Sequence, residues 1–247
     1  MFGITNIGGS CWINACLQGL FSIPDIKERY SSSVELENNL DSCLKNVWLS
    51  HASISSLMAL FPEITTKTTP AGKGIGDSHE LFLILCDKLT FLNKLCSFET
   101  ANVIKCSCGN QTIHKQTSNN LFIHTSGRLA DSILASTNPE KIDSYSDCNI
   151  CSAETKTVTG STNRFIMCTF PSIMVINILP GTNVQFGSEI TLNENKYELI
   201  SIICNSGGHW FGYYKHNKWM LGNDTSVSET GVNIRSHVRV LFYIKKT

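Results

Sequence analysis

The order in which two hydrophobic patterns follow each other along this chain most limits its fold. In the first part, apolar residues recur at the spacing of a helix, as at Ile13, Cys16, Leu17, Leu20 and Phe21. After Leu95, short β-prone runs appear among Ser, Asn and Thr, which is typical of strands. Helices followed by strands, without regular alternation, predict an α+β fold.

The same patterns predict individual elements. We predict three helices within residues 12–61, the first of them ended by Pro24, and an exposed loop rich in Thr, Gly and Lys at residues 65–76. Asp77 followed by Glu80 before an apolar run is a variant of the capping box, so another helix is predicted there. The predicted strands are residues 112–113, 121–123, 164–169, 173–179, 190–192, 197–204, 210–215, 218–221 and 237–245.

Composition excludes several classes of protein. With a net charge of zero and 16% charged residues, the chain has no basic stripe for nucleic acid. It has no apolar run near the roughly 20 residues of a membrane helix. Its first residues lack the basic segment and apolar core of a secretion signal, so we do not expect secretion. Its 11 cysteines, an odd number, suit free thiols in a reducing compartment. We expect an intracellular monomer that binds neither nucleic acid nor a membrane.

One cysteine stands where a glycine-rich segment meets the first helical run. This places the sulfur of Cys11 at or near a helix N-terminus, where unpaired amides and the helix dipole favour a thiolate. Asn6, five residues upstream, is within reach to donate its side-chain amide to an oxyanion. A lone cysteine at a helix start is often only a small buried apolar residue, so this stretch alone leaves both interpretations open.

A histidine near the other end of the chain favours the catalytic interpretation. His209 follows Gly207 and Gly208 at the start of a predicted strand, and the next strand runs into Asn223 and Asp224. A hairpin would bring one of these two residues beside His209, where it would orient the imidazole. A cysteine, a histidine and an Asn or Asp, in this order, form the papain-type arrangement for nucleophilic catalysis.

Two close cysteine pairs lie in the middle of the chain: Cys106 with Cys108, and Cys148 with Cys151. Such pairs can supply the four thiolates of a structural zinc site, and the second pair has the usual C-x-x-C spacing. The alternatives are unrelated free thiols, or a site in which His114 or His124 replaces one cysteine. Because a reducing compartment disfavours disulfides, we favour the four-cysteine zinc site.

These motifs resemble those of the ubiquitin-specific proteases, the papain-like cysteine deubiquitinases. The family's Cys box, G-L-x-N-x-G-N-T-C-Y-M-N-S-x-L-Q, is matched at Gly3, Asn6, Gly8, Cys11, Asn14, Leu17 and Gln18. Its Q-Q-D-A-H-E-F-L segment is matched at Asp77, His79 and Glu80. Its His box is matched at Tyr197, Leu199, Gly208, His209, Tyr213, Trp219, Asn223, Asp224 and Val227. Many members also carry zinc-binding cysteine pairs between the second and third motifs.

The resemblance implies one catalytic domain with a thumb, a palm and fingers. We expect a helical thumb at residues 1–95, a reduced zinc-bearing fingers region at 96–165 and a β-rich palm at 166–247. The implied catalytic residues are Cys11 as nucleophile, His209 as general base and acid, Asn223 as third triad member, Asp224 as assisting neighbour and Asn6 in the oxyanion hole. Substrate contacts are expected at Asp77, Gly207, Gly208 and Trp210.

The activity implied by the resemblance is hydrolysis of the isopeptide bond after the C-terminal Gly-Gly of ubiquitin. Only a tail without side chains fits a narrow groove between the cysteine helix and the histidine strand. Departures from the family pattern leave open an isopeptidase for SUMO or another modifier; they include Trp12 and Trp210 in place of tyrosine and a short loop before His209. A catalytically inactive ubiquitin-binding module is the other alternative, and the complete triad argues against it.

Overall fold

The computed structural model describes residues 2–50, 54–60, 76–142, 148, 150–151, 161–231 and 237–246. The helices in these ranges are α1 (Cys11–Leu20), α2 (Pro24–Ser31), α3 (Asn39–Ser50), α4 (Ser55–Leu60), α5 (Ser78–Lys88), α6 (Thr90–Cys96) and α7 (Leu129–Ser136). The first seven strands are β1 (Phe98–Lys105), β2 (Gln111–Ser118), β3 (Leu121–Ile123), β4 (Gly127–Arg128), β5 (Glu140–Ile142), β6 (Ser161–Met167) and β7 (Ile173–Ile178). The others are β8 (Val184–Gln185), β9 (Glu189–Leu192), β10 (Asn195–Ser206), β11 (His209–Lys215), β12 (Trp219–Asn223), β13 (Ser226–Glu229) and β14 (Val238–Lys245).

The predicted α+β fold is confirmed, with six helices before the first strand in the described ranges. Three helices were not predicted: α2, α6 and α7. Pro24 does not simply end the first helix: α1 stops at Leu20, and Pro24 is the first residue of α2. Proline fits that position because the first N–H of a helix has no partner within the helix. Residues 65–75 of the predicted loop lie outside the described residues.

The strands form one large sheet and two smaller ones. The large sheet has the order β13-β12-β11-β10-β14-β7-β3, with β9 also pairing with β10. A second sheet has the order β2-β1-β6-β5, and β4 pairs with β8. The pairs β3–β7 and β4–β8 are parallel, and the other pairs are antiparallel.

Both faces of the large sheet are covered. On β14, Val240 and Phe242 join the apolar cluster that contains the helices, whereas Leu241 and Tyr243 join a second cluster on the other face. This double burial explains why the strands read as nearly continuous apolar runs. No helix in the described ranges has the length and apolarity needed to cross a bilayer.

Helix α1 is the element that positions the site. All ten of its residues are buried, and the helix packs on β10, β11 and β12. A helix that is buried on every side has little freedom to move. Its first residue is therefore held at a fixed place against the start of β11.

Candidate active site

Cys11 is the first residue of α1 and is 4% exposed. The chain reaches it through Gly8 and Gly9, whose φ angles of 83° and 76° lie in the left-handed region. Glycine adopts this region without steric cost, which permits the sharp entry into the helix. The predicted position of the thiol at a helix N-terminus is confirmed.

The predicted preference for the thiolate in the free protein is wrong. Burial, the largest effect, raises the pKa of the Cys11 thiol, and the nearby charge of Asp224 raises it too. The backbone N–H groups of Trp210, Trp12 and Cys11 itself act in the opposite direction but do not outweigh burial. The thiol therefore holds its proton until a base removes it.

His209 and Asn223 are joined side chain to side chain. His209 begins β11, Asn223 ends β12, and Nε2 of the imidazole lies 2.7 Å from Oδ1 of Asn223. Because this oxygen accepts, Nε2 donates its hydrogen, and Nδ1 is the ring nitrogen that remains basic. Trp210, the next residue, directs its backbone N–H at the Cys11 sulfur, so the start of β11 meets the start of α1.

The turn before His209 consists of Gly207 and Gly208 alone, between Ser206 and His209, which pair across the hairpin. Both glycines have positive φ, 59° and 88°, as a two-residue turn of type I′ requires. Oδ1 of Asn205 accepts from the N–H of Gly208 at 3.3 Å and braces the turn. The two glycines leave the approach to His209 free of side chains.

Asp224 faces the cysteine side of the site instead of His209. It has a positive φ of 51°, so the chain turns sharply after Asn223. Its carboxylate accepts from Nδ2 of Asn6 at 3.0 Å and from Nδ2 of Asn14 at 2.7 Å. Its backbone oxygen accepts from the N–H of Ile4 at 2.9 Å and from Nε2 of Gln18 at 3.1 Å. Asp224 thus ties the N-terminal segment and α1 to the end of β12.

Both the oxygen and the nitrogen of the Asn6 side-chain amide are hydrogen bonded. Its Oδ1 accepts from the N–H of Ser10 at 3.2 Å, and one hydrogen of Nδ2 is directed at Asp224. A primary amide carries two N–H donors, so the second one is left for a substrate oxygen. The role of Asn6 in the oxyanion hole stays a prediction with this geometry in its favour.

Asp77 caps helix α5, as its sequence predicts. Its Oδ1 accepts from the backbone N–H of His79 at 2.7 Å. Ser78 donates from its hydroxyl to the backbone oxygen of Trp12 at 2.7 Å, which fastens α5 to α1 beside the nucleophile. Gly76 lies so close to the Trp12 ring that a Cβ there would be 2.4 Å from it. A substrate contact at Asp77 stays a prediction.

The four cysteines of the middle segment come together. Their sulfur atoms all lie within 4.8 Å of one another, with 3.8 Å between Cys106 and Cys151 and 3.6 Å between Cys108 and Cys148. Backbone N–H groups of Cys151 and Ile150 lower the pKa of the Cys148 thiol to about 6, which favours a thiolate. The set can hold a metal ion, and neither His114 nor His124 belongs to it.

Sequence reasoning gave no role to Asn14 or Gln18, although both match the family motif. They lie three and seven residues after Cys11, so both fall near its face of α1. Polar side chains at such positions of an apolar helix were the signal available. Their hydrogen bonds to Asp224 depend on the fold, since Asp224 is more than 200 residues away in sequence.

Comparisons with known proteins agree with this fold. A family model described as ubiquitin carboxyl-terminal hydrolase matches residues 2–243. A SAGA DUB module of Ubp8, Sgf11, Sus1 and Sgf73 bound to monoubiquitin aligns with a TM-score of 0.80 and 14% identity, over 100% of this chain and 69% of the other. The same module bound to ubiquitin aldehyde gives a TM-score of 0.75 and 16% identity, over 100% and 70%.

A third structure, of the yeast SAGA DUBm with an Sgf73 mutant, aligns with a TM-score of 0.78 and 16% identity, over 100% of this chain and 69% of the other. At these identities the likeness establishes the fold. A comparison with curated proteins gives no match.

Proposed function

Because this chain belongs to the ubiquitin carboxyl-terminal hydrolase family, we propose that it is a cysteine-dependent deubiquitinase that cleaves the isopeptide bond after the C-terminal Gly-Gly of ubiquitin. One observation carries the proposal. Cys11 sits at the start of α1 against the backbone of Trp210, and the neighbouring His209 is oriented by Asn223 through a 2.7 Å hydrogen bond. The SAGA DUB modules described as bound to monoubiquitin and to ubiquitin aldehyde support ubiquitin as the modifier.

The first half of the reaction forms a thioester. Nδ1 of His209 takes the proton that burial keeps on Cys11, and the sulfur attacks the carbonyl carbon of the terminal glycine. The Asn6 amide and the backbone N–H of Cys11 stabilise the oxyanion. His209 then gives its proton to the lysine amine as the C–N bond breaks.

The second half releases the modifier. His209 takes a proton from water, whose oxygen attacks the thioester carbon, and the C–S bond breaks as the modifier leaves with a free carboxylate. The proton on His209 returns to the Cys11 sulfur. Asn223 accepts from Nε2–H throughout, so Nδ1 stays available as the proton carrier.

We propose that the substrate tail runs between α1 and the turn at Gly207 and Gly208. Glycines on both sides of the groove allow the two backbones to approach closely. Trp210 and Asp77 are proposed to contact the substrate tail further from the scissile bond. The narrow approach would exclude a residue with a side chain next to the scissile bond.

Zinc is the metal we propose for the cysteine cluster. A tetrahedral zinc with Zn–S bonds of about 2.3 Å separates its sulfur atoms by about 3.8 Å. The observed separations of 3.8 and 3.6 Å fit that requirement. Bound there, zinc would supply structural cross-linking of two turns, and Cys106, Cys108, Cys148 and Cys151 would hold it.

We also propose an intracellular monomer. All eleven cysteines are free thiols, which supports a reducing compartment. Light scattering at several concentrations would reveal any self-association.

Electrophilic modifier probes test the proposed function. The purified protein is incubated with ubiquitin, SUMO and other modifiers carrying a C-terminal electrophile, and labelling is read by mass spectrometry. We expect the ubiquitin probe to label wild type and Cys168→Ala, a control at an exposed cysteine outside the site, but not Cys11→Ala. Labelling by the SUMO probe alone would show that the protein acts on SUMO and not on ubiquitin. Ubiquitin binding without labelling by any probe would identify an inactive binding module.

A further inference from the structure

Tyr214 connects the strand of the histidine to the helix of the cysteine. It lies on β11 five residues after His209, and its side chain is fully buried. Its hydroxyl donates to the backbone oxygen of Ala15 at 3.1 Å. Ala15 is one helical turn after Cys11, so one rigid side chain spans from the base's strand to the nucleophile's helix.

Two glycines make room for this ring. Gly212 and Gly222 are direct partners across β11 and β12. A Cβ at Gly212 would lie 2.2 Å from the Tyr214 hydroxyl oxygen, and one at Gly222 would lie 2.6 Å from the ring. Gly222 directly precedes Asn223, so the ring rests on the two strands that present the histidine and its orienting residue.

The hydroxyl stays a neutral donor at every working pH. Full burial raises the pKa of Tyr214 well above its usual range, and Cys204, Cys16 and Asp224 act in the same direction. A buried tyrosine hydroxyl needs a partner, and the Ala15 oxygen provides it. The hydrogen bond from Tyr214 to α1 therefore does not depend on pH.

We propose that Tyr214 is a positioning residue that sets how helix α1 sits on β11 and β12, and thereby where the Cys11 sulfur lies relative to His209. The inference rests on the proposed function for its catalytic consequence. A displacement of about 1 Å between reacting groups can lower a rate by about a hundredfold. Tyr214 acts only through α1 and the strands, and it does not touch the reacting atoms in this proposal.

Tyr214→Phe tests the hydroxyl against two matched controls. Tyr197→Phe and Tyr243→Phe each remove one buried hydroxyl that donates to a backbone oxygen of a loop, Pro171 at 2.8 Å and Gly187 at 2.9 Å. We expect similar falls in the thermal unfolding midpoint for all three. Only Tyr214→Phe should lower kcat, by about tenfold with KM changed less than twofold, and shift the pH profile of Cys11 alkylation.

A second pair of variants tests the ring. Gly212→Ala, whose added Cβ would have atoms of Tyr214 as its three nearest neighbours, should displace the ring and lower kcat, whereas the same change added to Tyr214→Leu should have little further effect. Equal losses in both backgrounds would overturn the role of the ring. If Tyr214→Phe keeps the kcat and the alkylation profile of its controls, the positioning role is overturned. Should wild type fail to cleave any modifier, the alkylation profiles still decide the question, so the two proposals fail separately.

Discussion

The side-chain amide of Asn14 donates a 2.7 Å hydrogen bond to the carboxylate of Asp224, 210 residues further along the chain. The other oxygen of the same carboxylate accepts from Asn6. The imidazole of His209 bonds instead to Asn223, the preceding residue. Two adjacent residues thus have separate partners: Asn223 holds the His209 ring, and Asp224 holds α1 and the Asn6 amide beside Cys11.

This division predicts different losses for two alanine variants. Asn223→Ala should lower kcat/KM by about a hundredfold or more, because His209 loses both its orientation and its tautomer. Asp224→Ala should lower it by about tenfold, through a less well held Asn6 and α1. Steady-state kinetics on one fluorogenic ubiquitin substrate compares the two variants. Glu229→Ala, which removes an exposed carboxylate, is the control. The reverse order of the two losses would exchange the assigned roles.

The reactivity of Cys11 should depend on pH through Asp224. Burial raises the pKa of the Cys11 thiol above its ordinary value, and the negative charge of Asp224 raises it further. Asp224→Asn removes the charge, so the pKa of Cys11 should fall and alkylation should reach half its maximal rate at a lower pH. The rate constant for iodoacetamide at this one cysteine, followed by peptide mass spectrometry, gives the profile.

Asp77→Asn is the control for that experiment. Asp77 caps the neighbouring helix and is not among the groups that shift the pKa of Cys11. Asparagine can cap a helix as well as aspartate, so the fold should be preserved. An unchanged profile for Asp224→Asn, or one moved to higher pH, would contradict the electrostatic assignment.

Metal analysis should find one zinc per chain. Cys108→Ser should abolish binding, because three thiolates leave the tetrahedral site open. Cys168→Ser, also at an exposed cysteine, should keep the metal. Elemental analysis of protein purified without chelator measures the content, and hydrogen exchange should show β1, β2 and β6 opening first after removal. Zinc-free wild type would rule out the site.

Stability should fall at acid pH through His79. This ring is 6% exposed, accepts from Asn177 at 2.9 Å and lies edge-on to Phe122. Burial lowers the pKa of His79 below its ordinary 6.5, although Asp77, Glu80 and Asn120 act to raise it. At pH values between the lowered pKa of the folded protein and about 6.5, His79 is protonated in the unfolded chain but not in the folded one. The contribution of His79 to stability is therefore present above about pH 6.5 and declines as the pH falls below it.

His79→Gln should flatten that decline, since glutamine does not titrate. Urea unfolding midpoints at a series of pH values between about 5 and 8 provide the comparison. His114→Gln replaces an exposed histidine on β2 and serves as control. An equal slope for wild type and His79→Gln would show that other groups cause the acid sensitivity.

Local patterns were enough for much of the fold. The apolar stripe of α1, the Asp77 cap and the strand at Leu121–Ile123 were all predictable, because each depends on neighbours within one turn or one run. Helix α2 was missed because its sequence, PDIKERYS, is mostly polar and buries only Ile26 and Tyr30. Helix α7 was missed because it has only eight residues. In so short a segment between predicted strands, the spacing of apolar residues does not distinguish a helix from a strand.

The place of Cys11 at a helix start and of an Asn or Asp beside His209 could be predicted from the sequence, but the electrostatics could not. Glycines around Cys11 and His209 indicate tight turns from sequence alone. The raised pKa of Cys11 depends on how deeply the whole domain buries the thiol, which no local pattern reports. In the same way, the separate partners of Asn223 and Asp224 depend on a positive φ at Asp224 and on side chains from the other end of the chain.

The meeting of the chain's two ends at Asp224 also has a consequence for biosynthesis. Residues of α1 leave the ribosome well before the strands that cover them and the residues that complete the site. Until then the side of α1 that packs on β10, β11 and β12 lacks its cover, and Cys11 lacks Trp210 and Asp224 beside it. Under the proposed function, the chain therefore has no protease activity until β12 has been made.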